Sequence, residues 1–143
     1  MPVTVEQLSL DNPEHYADLV KIYSESPGWM VRDLSAEDFI AQYLQPCDSV
    51  WGGWFNGRIL GAVGVKTSPD GLQLIGLGVR KTTRRRGVAG RMMELVLAEI
   101  DRPVYIDTRQ QPTTDGLFDK LGFIKGVPEA RDNASWVRWV KPQ

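Results

Sequence analysis

Seven consecutive residues, Arg84-Arg85-Arg86-Gly87-Val88-Ala89-Gly90, have the types and order that hold an anion. Amides that open a helix lack carbonyl partners within it and carry partial positive charge. Small residues there let a phosphate approach the backbone, and arginines beside them grip it with paired donors. A strand-like run ending at Val79 leads into the stretch and a helical pattern leaves it. Gly87 and Ala89 would also suit plain helix packing beside a solvated arginine loop, but the strand–turn–helix context favours a ligand. The GxxxxGK[ST] pattern of nucleoside triphosphatases is absent, and Gly76-Leu77-Gly78 lacks the third glycine of a dinucleotide fingerprint.

Residues that could transfer a proton or attack a carbonyl are few. His15, the one histidine, lies in a helical pattern where surface or cap placement is the ordinary outcome. Cys47, the one cysteine, has no basic neighbour or visible histidine partner and reads as a buried thiol. Asp107 ends a short strand, where it suits a base towards an ammonium or equally a cap. Trp51, Trp54, Trp136 and Trp139 fall within strand-like runs and read as core or sheet-face packing rather than a substrate platform.

The elements that must position these residues are legible from periodicity. Val3 to Leu8 alternates as a strand, and Asn12-Pro13 caps and opens a helix with Tyr16, Leu19, Val20 and Tyr23 on one face. Pro27, Gly28, Trp29 and Met30 read as a loop. Ser35 caps a second helix with Phe39, Ile40, Tyr43 and Leu44 inside, stopped by Pro46. Asn56-Gly57 predicts a type I′ hairpin, and Pro69-Asp70-Gly71 a second turn, giving three antiparallel strands over 50–55, 59–65 and 72–79. A helix from Gly87 to Ile100 would bury Ala89, Met92, Met93, Val96 and Ile100. A strand over 103–107, a helix over 114–121 ended by Gly122, and strands over 123–127 and 135–140 complete an α/β fold.

The 143 residues suit one domain, 1–143, with 42% hydrophobic and 24% charged residues. The net charge of −1 gives no general attraction to polyanions, and one basic cluster is a small footprint, so no nucleic acid partner is expected. A single cysteine excludes an internal disulfide and any multi-cysteine metal site, and no metal is expected. Neither a leader pattern nor an apolar run of membrane-spanning length is visible, so no membrane partner is expected and the cytoplasm is the expected compartment.

Arg84 to Ala89 matches the (Gln/Arg)-x-x-Gly-x-(Gly/Ala) motif, and with Leu117-Phe118-Asp119-Lys120-Leu121-Gly122-Phe123 the chain resembles the GNAT (Gcn5-related N-acetyltransferase) family over nearly its whole length. The resemblance implies a mixed, mostly antiparallel central sheet flanked by helices, with acetyl-CoA as cofactor and acetyl transfer to a primary amine as activity. It implies cofactor contacts from Leu77, Gly78 and Val79, at the strand edge beside the pantetheine arm. Arg84, Arg85, Arg86, Gly87, Val88, Ala89 and Gly90 would hold the pyrophosphate. Three positions depart from the family pattern: Lys81 replaces a proline, Gln111 an asparagine, and Phe118 the tyrosine that protonates the leaving thiolate. The stretches 18–23, 55–60 and 79–88 resemble the PanZ (PanM) branch, acetyl-CoA-sensing maturation factors of aspartate α-decarboxylase. That branch implies a regulatory alternative with aspartate decarboxylase as partner, for which Arg80 and Lys81 are the expected contacts. The chain is longer than that type around Trp29 to Gln45 and after Val127.

Overall fold

The computed structural model describes residues 3–84, 87–110, 112–131 and 133–142. Strand β1 (Thr4–Gln7) leads to helix α1 (Pro13–Ser24), whose first free amides, those of Glu14 and His15, donate to the Asn12 side chain. A single helical turn, α2 (Gly28–Val31), occupies the segment expected as loop. Pro27 starts it, and Arg32 in the left-handed region ends it. Helix α3 (Ala36–Phe39) opens on Ser35, whose hydroxyl accepts from the Asp38 amide, and widens into a π turn over Ile40–Leu44.

Strands β2 (Ser49–Phe55), β3 (Arg58–Ser68) and β4 (Gly71–Val79) form the antiparallel meander. Asn56 and Gly57 both take positive φ, 52° and 74°, as a type I′ turn requires. A 3₁₀ turn over Lys81–Thr83 then leads to α4 (Val88–Ala98), β5 (Val104–Arg109) and α5 (Pro112–Lys120). The strand expected over 123–127 divides differently. Beyond β6 (Ile124–Lys125) the edge strand breaks at Gly126 to Pro128 and resumes as β7 (Glu129–Arg131), and both pair with β8 (Ala134–Lys141).

Among the described residues the sheet runs β1-β2-β3-β4-β5-β8-β6, with β7 beside β8. Only the β4–β5 pairing is parallel, so the mixed, mostly antiparallel sheet is as expected. One face packs under α4 and α5, joining Val63, Leu74, Met92, Met93, Val96, Ile106, Phe118 and Trp139. Val88 is buried at the start of α4, whereas Ala89, expected on the buried face, is half-buried. The other face packs under α1 and α3 through Leu19, Ile22, Tyr23, Phe39, Leu44 and Ile59. Buried on both sides, β3 is the centre of the molecule.

An ion pair between the buried Asp18 and the exposed Arg58 fixes α1 to the first hairpin. Asp18 is 7% exposed, accepts from the Arg58 guanidinium, and takes the Ile59 amide at 3.1 Å. Burial opposes its ionisation, but Arg58 and the Ile59 amide together hold the carboxyl below its ordinary range. No helix among the described residues is long and apolar enough to cross a membrane.

Candidate functional site

Among the described residues the sheet parts between β4 and β5. Strands β4 and β5 pair at Leu72–Val104 and Gln73–Tyr105 and then diverge. The cause is a bulge on β4: Gly76 and Leu77 together oppose Val63, and Gly76 has φ of +66°. Only glycine enters that region without strain, and a side chain would also meet the Phe39 ring at 3.0 Å. The Tyr23 hydroxyl donates to the Gly76 carbonyl at 2.7 Å. The bulge swings the end of β4 away from β5 and opens a cleft of about 1030 Å³.

On the α4 side, the cleft is lined by Leu77, Val79, Arg84, Gly87, Val88, Ala89 and Gly90, all residues the sequence nominated. Gly87 has φ of +77° and lets the chain turn sharply into α4, which has no side-chain cap. The first bond back into the helix is Arg91 N to Gly87 O at 3.0 Å, which leaves the amides of Val88 to Gly90 without helical partners. Gly78 points elsewhere: an added Cβ would lie 3.1 Å from Ile22 and Ser26, so only its backbone can serve the cleft. Arg85 and Arg86 lie outside the described residues.

The basic turn is anchored to α1. Arg80 makes paired bonds of 2.9 and 3.3 Å to Glu25, and the Lys81 amide donates to the same carboxylate at 2.8 Å. Arg84 donates to the Glu25 carbonyl. Hydrogen bonding from Arg80 and the Lys81 amide keeps the Glu25 carboxyl below its usual range. Of the two residues expected to face a partner, Arg80 pairs with Glu25 and is 25% exposed, whereas Lys81 is exposed.

The opposite face of the cleft follows strand parity. Tyr105, Asp107 and Arg109 alternate with the inward Ile106 and Thr108, and they register against Val140, Arg138 and Trp136. Arg138 holds Asp107 at 2.8 and 3.1 Å, and Arg131 stands 3.9 Å away. Trp136 carries the guanidinium of Arg131 at 5.2 Å and that of Arg109 at 5.9 Å, and meets Trp29 edge-on at 5.7 Å.

Residues 2–110 match a family model described as the acetyltransferase (GNAT) domain, PanZ. The chain belongs to the PanZ family. Solved GNAT structures share its fold end to end. A GNAT acetyltransferase from Elizabethkingia anophelis with acetyl-CoA bound is 14% identical, with a TM-score of 0.71 over 99% of this chain and 98% of that one. The ribosomal-protein-S18-alanine N-acetyltransferase from Escherichia coli is 16% identical, with a TM-score of 0.71 over 99% and 94%. An aminoglycoside 6'-N-acetyltransferase complexed with coenzyme A is 16% identical, with a TM-score of 0.78 over 97% and 96%. None of the curated proteins matches the chain in sequence.

Within this PanZ-family fold, the other candidates fall into place. Phe118 lines the cleft, 1% exposed, with its ring between Phe123 at 5.1 Å and Trp139 at 5.5 Å. It offers no proton. His15 accepts from the Ser9 amide at 3.2 Å and rests edge-on against Trp54, away from the cleft. Cys47 is half-buried, donates to the Tyr43 carbonyl at 3.2 Å, and burial pushes its thiol up to about 11. Gln111 lies outside the described residues.

Among the tryptophans, Trp139 is fully buried, and Trp51 and Trp54 pack at the margins of the two cores. Trp136 instead lines the cleft, and Trp29 joins it from α2. Parity held the missing signal: residues 136 and 139 are three apart in one strand and must face opposite sides of the sheet.

Proposed function

We propose that the cleft binds acetyl-coenzyme A and that the chain transfers its acetyl group to a primary amine. The amides of Val88, Ala89 and Gly90, with Arg84, Arg85, Arg86 and Gly87, would hold the pyrophosphate. The free edge of β4 at Leu77, Gly78 and Val79 would pair with the pantetheine arm as an added strand does. One observation carries the reading: two unpaired sets of backbone groups meet in a single cleft, the edge of β4 beyond Gln73 and the uncapped first turn of α4. Thr108 supports it, being 3% exposed with a hydroxyl unpartnered among the described residues, on the face that α4 and α5 cover.

Bound there, the coenzyme supplies an activated acetyl thioester. The chain's own contribution is position and polarisation. Backbone amides at the strand edge would polarise the carbonyl, and the cleft would align the amine for direct attack. Asp107 is held by Arg138 and Phe118 carries no hydroxyl, so the amine would arrive neutral, and the proton its nitrogen sheds on forming the amide would pass through water to the departing thiolate.

A second reading keeps the cofactor and drops the chemistry: an acetyl-CoA-dependent regulator of aspartate decarboxylase maturation. Membership of the PanZ family favours it, as does a cleft in which Phe118 and Asp107 supply neither acid nor base. Thiol release across a broad amine panel, beside self-cleavage of the unprocessed decarboxylase with and without acetyl-CoA, separates the two. Amine-dependent turnover supports the transferase. No turnover, with cleavage accelerated only when acetyl-CoA is present, supports the regulator.

A further inference from the structure

The half of the cleft opposite α4 carries donors without acceptors. The indole nitrogens of Trp29 and Trp136 and the Nε of Arg109 are buried and have no hydrogen-bond partner among the described residues. All three residues line the cleft. Indole and guanidinium nitrogens can only donate, so nothing within this trio can satisfy them. Unmade bonds of this kind are costly inside a protein, and three in one corner point to a missing acceptor.

Charge on this wall has the same sense. Away from the basic turn, the cleft is lined by Arg32, Lys66, Arg109 and Arg131, against Asp33 and Asp107. Asp107 is bonded twice to Arg138 and only loosely approached by Arg131 at 3.9 Å, and the guanidinium groups of Arg109 and Arg131 flank the Trp136 ring. No carboxylate among the described residues pairs with Arg109.

We propose that this corner binds a carboxylate of the molecule presented to the acetyl group, with Arg109 and Arg131 as its cationic partners. The indoles of Trp29 and Trp136 flank it as donors, and Trp29 covers it. A planar guanidinium matches a carboxylate with two parallel bonds, and indole N–H groups add direction without charge. Trp29 is carried on the single turn of α2, between the exposed Pro27 and the exposed Arg32, at the solvent side of the corner. Arg131 and Trp136 lie beyond the span that matches the family model, so this specificity is built partly from residues outside that match. The proposal rests on the acetyl-CoA reading for which side of the cleft receives the acceptor.

Calorimetry with the full chain tests it, run with and without saturating acetyl-CoA. The probes are glycine and glutamate against their amides, and short peptides with free against amidated C-termini. Acids should bind roughly ten-fold or more tightly than their amides. Selectivity among the free amino acids identifies a small-molecule carboxylate, and selectivity among the peptides alone a chain terminus. R109Q should erase the preference while leaving acetyl-CoA affinity within about two-fold. R131Q, on an exposed strand, should reduce it without a change in melting temperature, which keeps the test valid should R109Q misfold. Equal binding of acids and amides, or an unchanged preference in a folded R109Q or R131Q, overturns the proposal. Because acetyl-CoA binding is measured separately, its failure is not confused with failure of the carboxylate site.

Discussion

The phenol of Tyr23 donates to the carbonyl of Gly76 at 2.7 Å, and through that bond α1 holds the β4 bulge in place. Burial pushes the Tyr23 hydroxyl upward, so it stays a donor at any working pH. Tyr23→Phe should cost about 1 kcal/mol in urea unfolding, and should weaken acetyl-CoA binding beyond what that loss explains. Gly76→Ala, placed at φ +66° against Phe39, should cost about 2 kcal/mol or more. Wild-type acetyl-CoA affinity in both variants would mean that the bulge does not shape the cleft.

Acid should act on the fold through Asp18. Its folded carboxyl titrates below the ordinary 3.8, so the stability it contributes is full above that value and lost as pH falls through the folded one. Glu25 follows the same sign from its ordinary 4.5. Asp18→Asn should therefore lower the melting temperature at neutral pH and flatten its fall below about pH 4. A variant whose acid profile still parallels the wild type would refute the assignment.

Gly87 and Arg80 should part company under mutation. Gly87→Val places a branched side chain at φ +77°, with open space around it, so it should damage the turn rather than the core. The expected cost is about 2 kcal/mol of stability with a ten-fold or greater loss of acetyl-CoA affinity. Arg80→Glu breaks the pair with Glu25, whose side chains are 25% and 29% exposed, so its stability cost should stay near 1 kcal/mol or below. It should loosen the basic turn and weaken the cofactor more than any partner. Partner binding impaired with cofactor affinity intact would instead mark Arg80 as a partner contact.

Phe118→Tyr adds a hydroxyl to a buried ring in the cleft wall. If the chain is a transferase, the rate should hold or rise, and its increase with pH should soften as the phenol supplies a proton. Loss of turnover with acetyl-CoA binding intact would show that Phe118 does not stand where the family's tyrosine does.

Periodicity and caps made most of this fold legible. Asn12, Ser35 and Asn56-Gly57 each act locally, and each forms the cap or turn their chemistry demands. The α4 half of the cleft was equally readable, because its residues are contiguous in the chain. The other half was not. Trp29, Arg109, Arg131 and Trp136 come from four separate elements, brought together by the registers of β5 and β7 against β8 and by the contact of Trp29 with Trp136. Likewise α2 is one turn long, too short to show a period, and Gly126 divides an edge strand that apolar content alone makes continuous.

Acetyl-CoA titrated into the purified chain tests the central claim most directly. At about a hundred times its dissociation constant it should stabilise the fold by roughly 2.7 kcal/mol, a rise of several degrees in melting temperature for a chain of this size. Coenzyme A should do nearly the same and adenosine little, since the grip is on phosphate and pantetheine. Absence of both binding heat and a melting shift at millimolar acetyl-CoA would contradict the account.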